Sequence, residues 1–275
     1  MKRILICITI IYVLVLALTG SAWAQMARVK EYQLQPRVTT IQLSSFLGSI
    51  TWIPITNQEQ ARIIAEVVAD GVSQTGVRNA LLQVRIVENV RPSSILLEAR
   101  RPALPAGVDY VEVNYTVYAP PGQFRQFKAQ TAQRPIEIVS RFNAELTLIN
   151  QNAPITLHSG RGAVHLQTTQ APIMLGELDL AFSSQVQTEH GAISGVVSFP
   201  SQGSFLFRTT NAPIELKLPQ NTLATFHLSS TRGAIDFQLG DDIYNGSTGT
   251  SVERSAEPVV SIITSNSTII VNEVH

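Results

Sequence analysis

The chain has 275 residues, and 20 Lys and Arg residues balance 20 Asp and Glu residues, so its formal net charge is zero. This balance argues against a basic nucleic-acid-binding protein and a polyacidic tail. Hydrophobic residues make up 44% of the chain and charged residues 15%, which suits a folded core. The one cysteine, Cys7, lies in a segment that we expect to be removed. The mature protein is therefore expected to have no disulfide, no CxxC zinc site and no catalytic thiol.

Residues 1–24 have the three parts of a signal peptide. Lys2 and Arg3 give a positive start, residues 4–18 form an almost unbroken apolar run, and Ala-Trp-Ala at 22–24 precedes a predicted cleavage site. The apolar run is short for a permanent membrane-spanning helix. We therefore expect an exported protein, periplasmic, cell-surface or extracellular, without a membrane span in its mature chain. The alternative is an uncleaved N-terminal anchor.

The first half of the chain has irregular strand signals. Alternating apolar residues predict a strand at 110–119, and residues 94–100 are expected to pair with it. Residues 81–87 predict another apolar strand. Residues 60–69 fit both a helical period and a strand, and their β-branched content favours the strand.

An eight-residue template organises the second half: apolar, any, Ser/Thr/Asn, any, polar, Gly/Ala, any, Ile/Val. Positions one and three point inward with the period of a strand, whereas position eight breaks that parity, so the template predicts a corner between two strands. A spacing of about 20 residues between copies predicts one coil of a β-solenoid. Clear copies end at Ile155, Val164, Ile173, Ile193, Ile214 and Ile235, and poorer copies end at Ile50, Ile136 and Ile269.

These signals predict an all-β chain built by stacking, because no single coil can bury its apolar face alone. We expect residues 25–37 to be a short linker and residues 38–272 to be one domain. Residues 241–257, rich in Gly, Ser, Thr and Asp, predict a protruding loop. Residues 259–274 are expected to cap one end or to dock a second copy, which would make a homo-oligomer through the solenoid ends.

Three pieces of sequence resemble the β-strand-repeat "putative adhesin" family of unknown function. They are Gly48-Ser49-Ile50, the strand exit at 115–120, and repeats of the type Thr-Thr-Asn-Ala-Pro-Ile, and the resemblance spans roughly residues 38–272. Family members carry Asn-Gly-Asp-Ile corners, whereas Asn-Ala-Pro-Ile alternates here with Arg/His-Gly-Ala-Ile. The resemblance implies a right-handed parallel β-helix-like fold on an exported protein. It transfers no catalytic, cofactor-binding or metal-binding residue.

Acidic residues provide the main candidates for chemistry. Glu215 and Asp236 follow the anchors of successive copies, so they are expected to stack and either share a proton, bind a hard cation or remain solvated acids. Glu177 and Asp179 share a strand face, with the same alternatives. Asp241-Asp242 could bind calcium or form a solvated turn. The residues after the anchors are expected to line up outside: Thr156, His165, Met174, Ser194, Glu215 and Asp236.

The histidines lack the spacing of a helical zinc motif, so they are expected to be polar filler. The arginines are too sparse for a nucleic-acid groove. These residues are His158, His165, His190 and His227, and Arg161, Arg208 and Arg232.

Exposed aromatic rings are the usual platforms for sugars. An inward strand phase at most of five phenylalanines predicts a core stack rather than a sugar platform; they are Phe182, Phe205, Phe207, Phe226 and Phe237. It leaves Trp52, Tyr110 and Tyr118 as the better platform candidates. The Ser and Thr residues along the coils are expected to form hydroxyl ladders suited to broad contacts.

The sequence thus predicts a non-catalytic exported scaffold that presents an extended surface for adhesion, polysaccharide contact or envelope scaffolding. No enzyme activity, cofactor, metal site or nucleic-acid partner is expected. One alternative is a β-helix polysaccharide lyase or hydrolase that uses Glu215 and Asp236. Another is an envelope accessory protein tethered by an uncleaved N-terminal helix.

Overall fold

The computed structural model describes residues 24–247 and 249–274, and of residue 140 the backbone alone. The predicted signal peptide lies outside the described residues, apart from Ala24. The described chain forms one helix, α1 (Gln74–Gln83), and 23 strands in two large sheets, which confirms the all-β class. The strands are β1 (Ala24–Gln33), β2 (Thr40–Ser44), β3 (Ile50–Pro54), β4 (Arg62–Gly71), β5 (Arg85–Val90), β6 (Ser94–Arg100), β7 (Val108–Ala119), β8 (Gln126–Thr131), β9 (Ile136–Asn143), β10 (Glu145–Asn150), β11 (Ile155–Gly162), β12 (Val164–Gln167), β13 (Ile173–Leu180), β14 (Ser184–Gln187), β15 (Ile193–Ser198), β16 (Ser204–Arg208), β17 (Ile214–Leu218), β18 (Thr225–Ser230), β19 (Ile235–Leu239), β20 (Asp242–Gly246), β21 (Thr250–Glu253), β22 (Val259–Thr264) and β23 (Ile269–Glu273).

Successive strands alternate between the two sheets from β8 to β19. Sheet A has 12 strands in the order β1-β4-β7-β3-β9-β11-β13-β15-β17-β23-β19-β20. Sheet B has 11 strands in the order β21-β18-β22-β16-β14-β12-β10-β8-β2-β6-β5. The central strands of each sheet pair in parallel, as in β11 with β13 and β10 with β12. Each strand pair, one strand per sheet, therefore stacks on the next.

The last position of the template forms one buried row across sheet A. Its members pair in register in the order Ile50, Ile136, Ile155, Ile173, Ile193, Ile214, Ile269 and Ile235. The first position forms the matching row in sheet B, in the order Leu43, Ala129, Leu148, Leu166, Val186, Phe207, Ile262 and Leu228. The predicted corners therefore join sheet B to sheet A. The copy that ends at Val164 runs the other way, because Val164 begins β12 in sheet B.

The C-terminal strands do not follow sequence order. β22 lies between β16 and β18, and β23 lies between β17 and β19, with parallel pairing on both sides. Residues 259–274 are therefore an internal layer, and the prediction that they cap the end or dock a second copy is wrong. The predicted protruding loop at 241–257 instead supplies β20 and β21, which pair antiparallel at the outer edges of the two sheets.

The N-terminal end is built from antiparallel strands. β1 pairs with β4 and β4 with β7 in sheet A, while β5 pairs with β6 in sheet B. Strand β1 occupies much of the segment that we expected to be a linker. Strand β4 confirms the strand predicted at 60–69. The predicted pairing of residues 94–100 with 110–119 is wrong, because β6 and β7 belong to different sheets.

The helix α1 replaces the first part of the strand predicted at 81–87. Its N-cap is Ser73, whose hydroxyl accepts a hydrogen bond from the Gly76 N–H at 3.1 Å. Val77, Ala80 and Leu81 are buried, and their helical spacing places them on one face against β4 and β1. Among the described residues, no helix has both the length and the apolar character needed to span a membrane.

Candidate functional site

The outer face of sheet B carries two long rows of half-buried or exposed side chains, and most of them are uncharged and polar. The first row contains Leu96, Gln42, Lys128, Thr147, His165, Gln185, Leu206, Ser261 and His227. The second row contains Glu98, Ser44, Gln130, Ile149, Gln167, Gln187, Arg208, Ile263 and Ser229. Neighbouring members are one strand spacing apart, about 4.8 Å. The face therefore offers amide or hydroxyl groups on seven of the nine strands that these rows cross, all but β6 and β16.

The equivalent face of sheet A contradicts the predicted stacking of Glu215 on Asp236. Both side chains are exposed, but Ile270 of the inserted strand β23 pairs with each of them. The two residues are therefore two strand spacings apart, about 10 Å. His165 also leaves the predicted outer row, because it lies on sheet B. Thr156, Met174 and Ser194 do pair in register on sheet A, as predicted.

Two of the other four acidic candidates bond to neighbours. Asp179 accepts a hydrogen bond from the Ser198 hydroxyl at 2.6 Å. Asp242 forms an ion pair with Arg254 at 2.9 Å, and the same guanidinium donates to the backbone carbonyls of residues 239 and 220. Glu177 and Asp241 are exposed. Within the part of the chain that the structure describes, no three His, Cys, Asp or Glu side chains gather into a cluster that could hold a metal ion.

The histidines and arginines are dispersed over different surfaces. His158 lies 2.9 Å from the Glu137 carboxylate, so the pair forms an ion pair when the imidazole is protonated. The ring nitrogens of the other two bonded histidines contact Asn211 (His190, 3.0 Å) and Ser251 (His227, 3.2 Å). Arg208 lies on the outer face of sheet B, Arg161 ends a strand of sheet A, and Arg232 lies in a corner.

Trp52 is fully buried and cannot be a sugar platform, contrary to the prediction. Its ring centroid lies 5.0 Å from that of Phe124 and 5.1 Å from that of Phe127. Tyr118 is half-buried beneath the Arg62 guanidinium, which lies 4.6 Å from the ring centroid. Tyr110 is half-buried too, and burial, with the nearby Asp70 and Glu112 carboxylates, raises its pKa.

The predicted inward phenylalanines include one exception. Phe205, Phe207, Phe226 and Phe237 are buried, as predicted. Phe182 is 80% exposed instead. Leu178 and Leu180 point inward, and strict alternation along a strand would place Phe182 inward as well. The backbone at Phe182 is instead left-handed, with φ of +55°, and its ring lies outside. The parity rule failed because β13 ends at Leu180.

A groove that Phe182 helps to line lies at the edge where strands of sheet A lead into strands of sheet B. It has a volume of about 830 Å³ and is formed by turns from five successive strand pairs. Its polar and aromatic lining includes Arg125, Asn143, Glu145, Arg161, Phe182 and Gln202. This groove could not be predicted from the sequence, because these turns share no template. The one available signal was a phenylalanine in the short 181–183 connection.

Many of the Ser and Thr residues along the strand pairs lie inside the molecule, at the third template position, which the pattern predicts to point inward. The third template position is buried in eight copies: Ser45, Thr131, Asn150, Thr168, Thr188, Thr209, Ser230 and Thr264. Several of these side chains donate to the carbonyl of the sixth position in the neighbouring copy, as Thr131 does to Gly48 at 2.7 Å and Ser230 to Ser267 at 3.0 Å. These groups stabilise corners and are not available to a ligand.

No model of a known protein family matches the chain, and no curated protein matches it. Among solved structures, a putative cell adhesion protein from Clostridium sporogenes is 12% identical, with 90% of this chain and 100% of that chain covered and a TM-score of 0.34. A putative adhesin from Parabacteroides merdae is 9% identical, with 90% and 96% covered and the same TM-score of 0.34. Likenesses at this level establish neither a family nor a function.

Proposed function

We propose that this protein is a non-catalytic exported scaffold of the β-strand-repeat adhesin type. In this proposal its stacked strand pairs form a right-handed, solenoid-like body. The body presents an extended polar face to a polysaccharide or another cell-surface polymer. Many weak contacts at a regular spacing would act together through multivalency.

The observation that carries the proposal is the pair of registered rows on the outer face of sheet B. Glutamine, serine and threonine side chains donate and accept hydrogen bonds without the desolvation cost of a charge. Gln167, Gln185 and Gln187 lie on adjacent strands in the middle of this face. A polymer that lies across the strands would meet such groups on seven of the nine strands that the rows cross, all but β6 and β16.

The separation of Glu215 from Asp236 favours a scaffold over a polysaccharide lyase or hydrolase that would use these two carboxylates. A pair of carboxylates that share a proton must lie close together. Here Ile270 lies between Glu215 and Asp236 in the sheet and pairs with each of them. The enzyme alternative would therefore need acids that come from elsewhere on the surface.

The test uses protein purified after expression of the full-length gene, applied to a panel of insoluble polysaccharides with calcium and with chelator. Retention and the appearance of new reducing or unsaturated ends are measured in the same tubes. We expect retention without new ends. Replacement of Gln167, Gln185 and Gln187 by Ala together should weaken retention about tenfold or more, because three hydrogen bonds are lost.

The matched control is Thr156→Ala with Ser194→Ala, which truncates polar side chains on the outer face of sheet A. This variant should be retained like the wild type. New chain ends produced by the wild-type protein would contradict a non-catalytic function. Absence of retention on every polymer would contradict the polymer-binding function.

A further inference from the structure

We propose that the groove around Phe182 is a binding subsite for an anionic polysaccharide. A pyranose ring would stack on Phe182, and the carboxylates of uronate units would bind Arg125 and Arg161. This inference rests on the proposed function. It names the ligand class and adds, to the contacts of the sheet B face, a specific contact at the edge between the sheets.

The exposure and backbone conformation of Phe182 suit a contact with a ligand better than a role in stabilising the fold. Its side chain is 80% exposed, so it buries little apolar surface. Its left-handed backbone, with φ of +55°, is unfavourable for a bulky L-residue. A residue that costs backbone energy and contributes little packing is a candidate for function. An exposed ring in a groove suits the apolar C–H face of a sugar.

The two arginines flank the same short segment. The Glu145 N–H donates to the Arg125 carbonyl at 2.8 Å, and the Ala144 N–H donates to the Arg161 carbonyl at 3.2 Å. Their backbones are therefore about two strand spacings apart, or about 10 Å. Both side chains are exposed, and within the described residues neither forms an ion pair. Free guanidinium groups are well suited to bidentate binding of carboxylates.

The acidic groups near the groove form no ion pair with these arginines among the described residues. Glu145 is the one carboxylate in the described lining, and it accepts a hydrogen bond from the Gln126 amide at 3.1 Å. Asp179 pairs in register with Arg161, but its carboxylate bonds to Ser198. Hydrogen bonds from neutral donors leave a carboxylate charged, so Glu145 and Asp179 together match the two arginine charges in number. Anion binding at this edge therefore rests on the two exposed guanidinium groups that form no ion pair in the described residues, and not on a net positive charge.

The groove continues across successive turns, which suits a chain molecule rather than a single sugar. The Ala181 N–H donates to the Gly162 carbonyl at 3.0 Å, so the turn that carries Phe182 lies beside the turn that follows Arg161. The turn at 200–202 extends the lining beyond Phe182. The order along the edge is Arg125, then Arg161, then Phe182. A glycan laid along this edge could meet both guanidinium groups and the ring at once.

The test compares retention on polygalacturonate with retention on the same polymer after its carboxylates have been reduced to alcohols. The protein is again expressed from the full-length gene. We expect roughly tenfold weaker binding to the reduced polymer, and a decrease in binding to polygalacturonate as salt is raised. Arg125→Gln and Arg161→Gln should each weaken polygalacturonate binding roughly tenfold.

Phe182→Asn separates a binding role from a structural one. Asn tolerates a left-handed backbone, so the melting temperature of the Phe182→Asn protein should stay within about 3 °C of the wild-type value or rise above it. Retention on polygalacturonate should nevertheless fall, and Phe182→Tyr should restore it because the ring returns. The matched controls are Leu223→Asn, at another exposed apolar residue between β17 and β18, and Arg232→Gln. Both should bind like the wild type.

The outcomes separate this inference from the proposed function. Equal retention of the charged and reduced polymers, or wild-type retention by the Phe182 and arginine variants, overturns the groove and leaves a polymer-binding face. Retention on no polysaccharide overturns both proposals. Selective retention of the charged polymer that is lost in the groove variants and kept in the two controls supports the inference.

Discussion

Tyr115 shows at the scale of one residue how a buried polar atom can work against stability. Its side chain is fully buried beside the first isoleucine of the sheet A row, since Tyr115 pairs with Ile50. Its hydroxyl is one of two buried side-chain oxygens that have no hydrogen-bond partner among the described residues. Burial, with the Glu88 and Glu98 carboxylates, raises the pKa of Tyr115 well above its ordinary value.

We expect Tyr115→Phe to stabilise the protein by about 1–2 kcal/mol at neutral pH, because it removes an uncompensated buried hydroxyl. The effect should also depend on pH. Because the folded-state pKa is raised, Tyr115 keeps its proton while the unfolded chain loses one above pH of about 10, so stability falls as pH rises. The variant should lose stability less steeply, by up to about 1.4 kcal/mol per pH unit.

Denaturant unfolding between pH 7 and pH 11 measures both effects. Tyr118→Phe is the matched control, because it removes the same atom from a half-buried ring. Identical alkaline slopes for wild type and Tyr115→Phe would contradict the assignment of this titration to Tyr115.

Asn150 illustrates how the corner element holds neighbouring strand pairs together. It is 1% exposed, and its amide nitrogen donates to the Arg134 carbonyl of the adjacent copy at 2.7 Å. Its side-chain oxygen accepts a hydrogen bond from the Ala153 N–H at 3.1 Å. One side chain therefore fixes its own corner and joins it to the next, which explains the polar residue at the third template position.

We expect Asn150→Leu to lower the free energy of unfolding by about 2–3 kcal/mol, because it leaves buried backbone groups without partners. Gln151→Ala is the control, since Gln151 is exposed and next in sequence, and it should change stability by less than about 0.5 kcal/mol. Chemical denaturation compares the three proteins. Equal midpoints for Asn150→Leu and wild type would show that the corner bonds contribute little.

The sequence predicted those parts of the fold that depend on local alternation. The two core rows follow from the template because each copy carries its own inward residues and its own bend. The helix α1 could not be predicted from the apolar pattern, because the apolar residues at 81–87 favour a strand and the Ser73 cap lies outside that pattern. The exposed ring of Phe182 was missed because parity was continued past the end of a strand.

The order of the strand pairs could not be predicted from the template. Copies that end at Ile214, Ile235 and Ile269 present equivalent apolar residues, so each can pack beside any other. Which strand pairs lie next to each other depends on the connections between copies and on long-range strand pairing. The template carries no information about either. This is also why the carboxylates of Glu215 and Asp236 were expected to stack, whereas Ile270 lies between them in the structure.

The inserted C-terminal layer governs one end of the whole molecule. Val260, Ile262, Ile269 and Val271 are fully buried, and they pair with strands on both sides in both sheets. In a stack of strand pairs, each layer contacts mainly its neighbours. The pair β18–β19 and its outer strands β20 and β21 therefore depend on the last segment of the chain for their attachment.

We expect a protein that ends after Pro258 to lose order at this end while the central layers stay folded. Four buried side chains that each contribute about 2 kcal/mol are removed, and the facing edges of β16, β17, β18 and β19 lose their partners. Hydrogen exchange should show lost protection in β18 and β19, with protection retained in β8 to β13, because stability is local in a stacked architecture. Truncation after Glu273 is the control, since it leaves both inserted strands intact. β18 and β16 pair with the same residues of β22, and β19 and β17 pair with the same residues of β23. Full protection of β18 and β19 in the shorter protein would therefore mean that they pair directly with β16 and β17. The inserted layer would then not be needed to hold them.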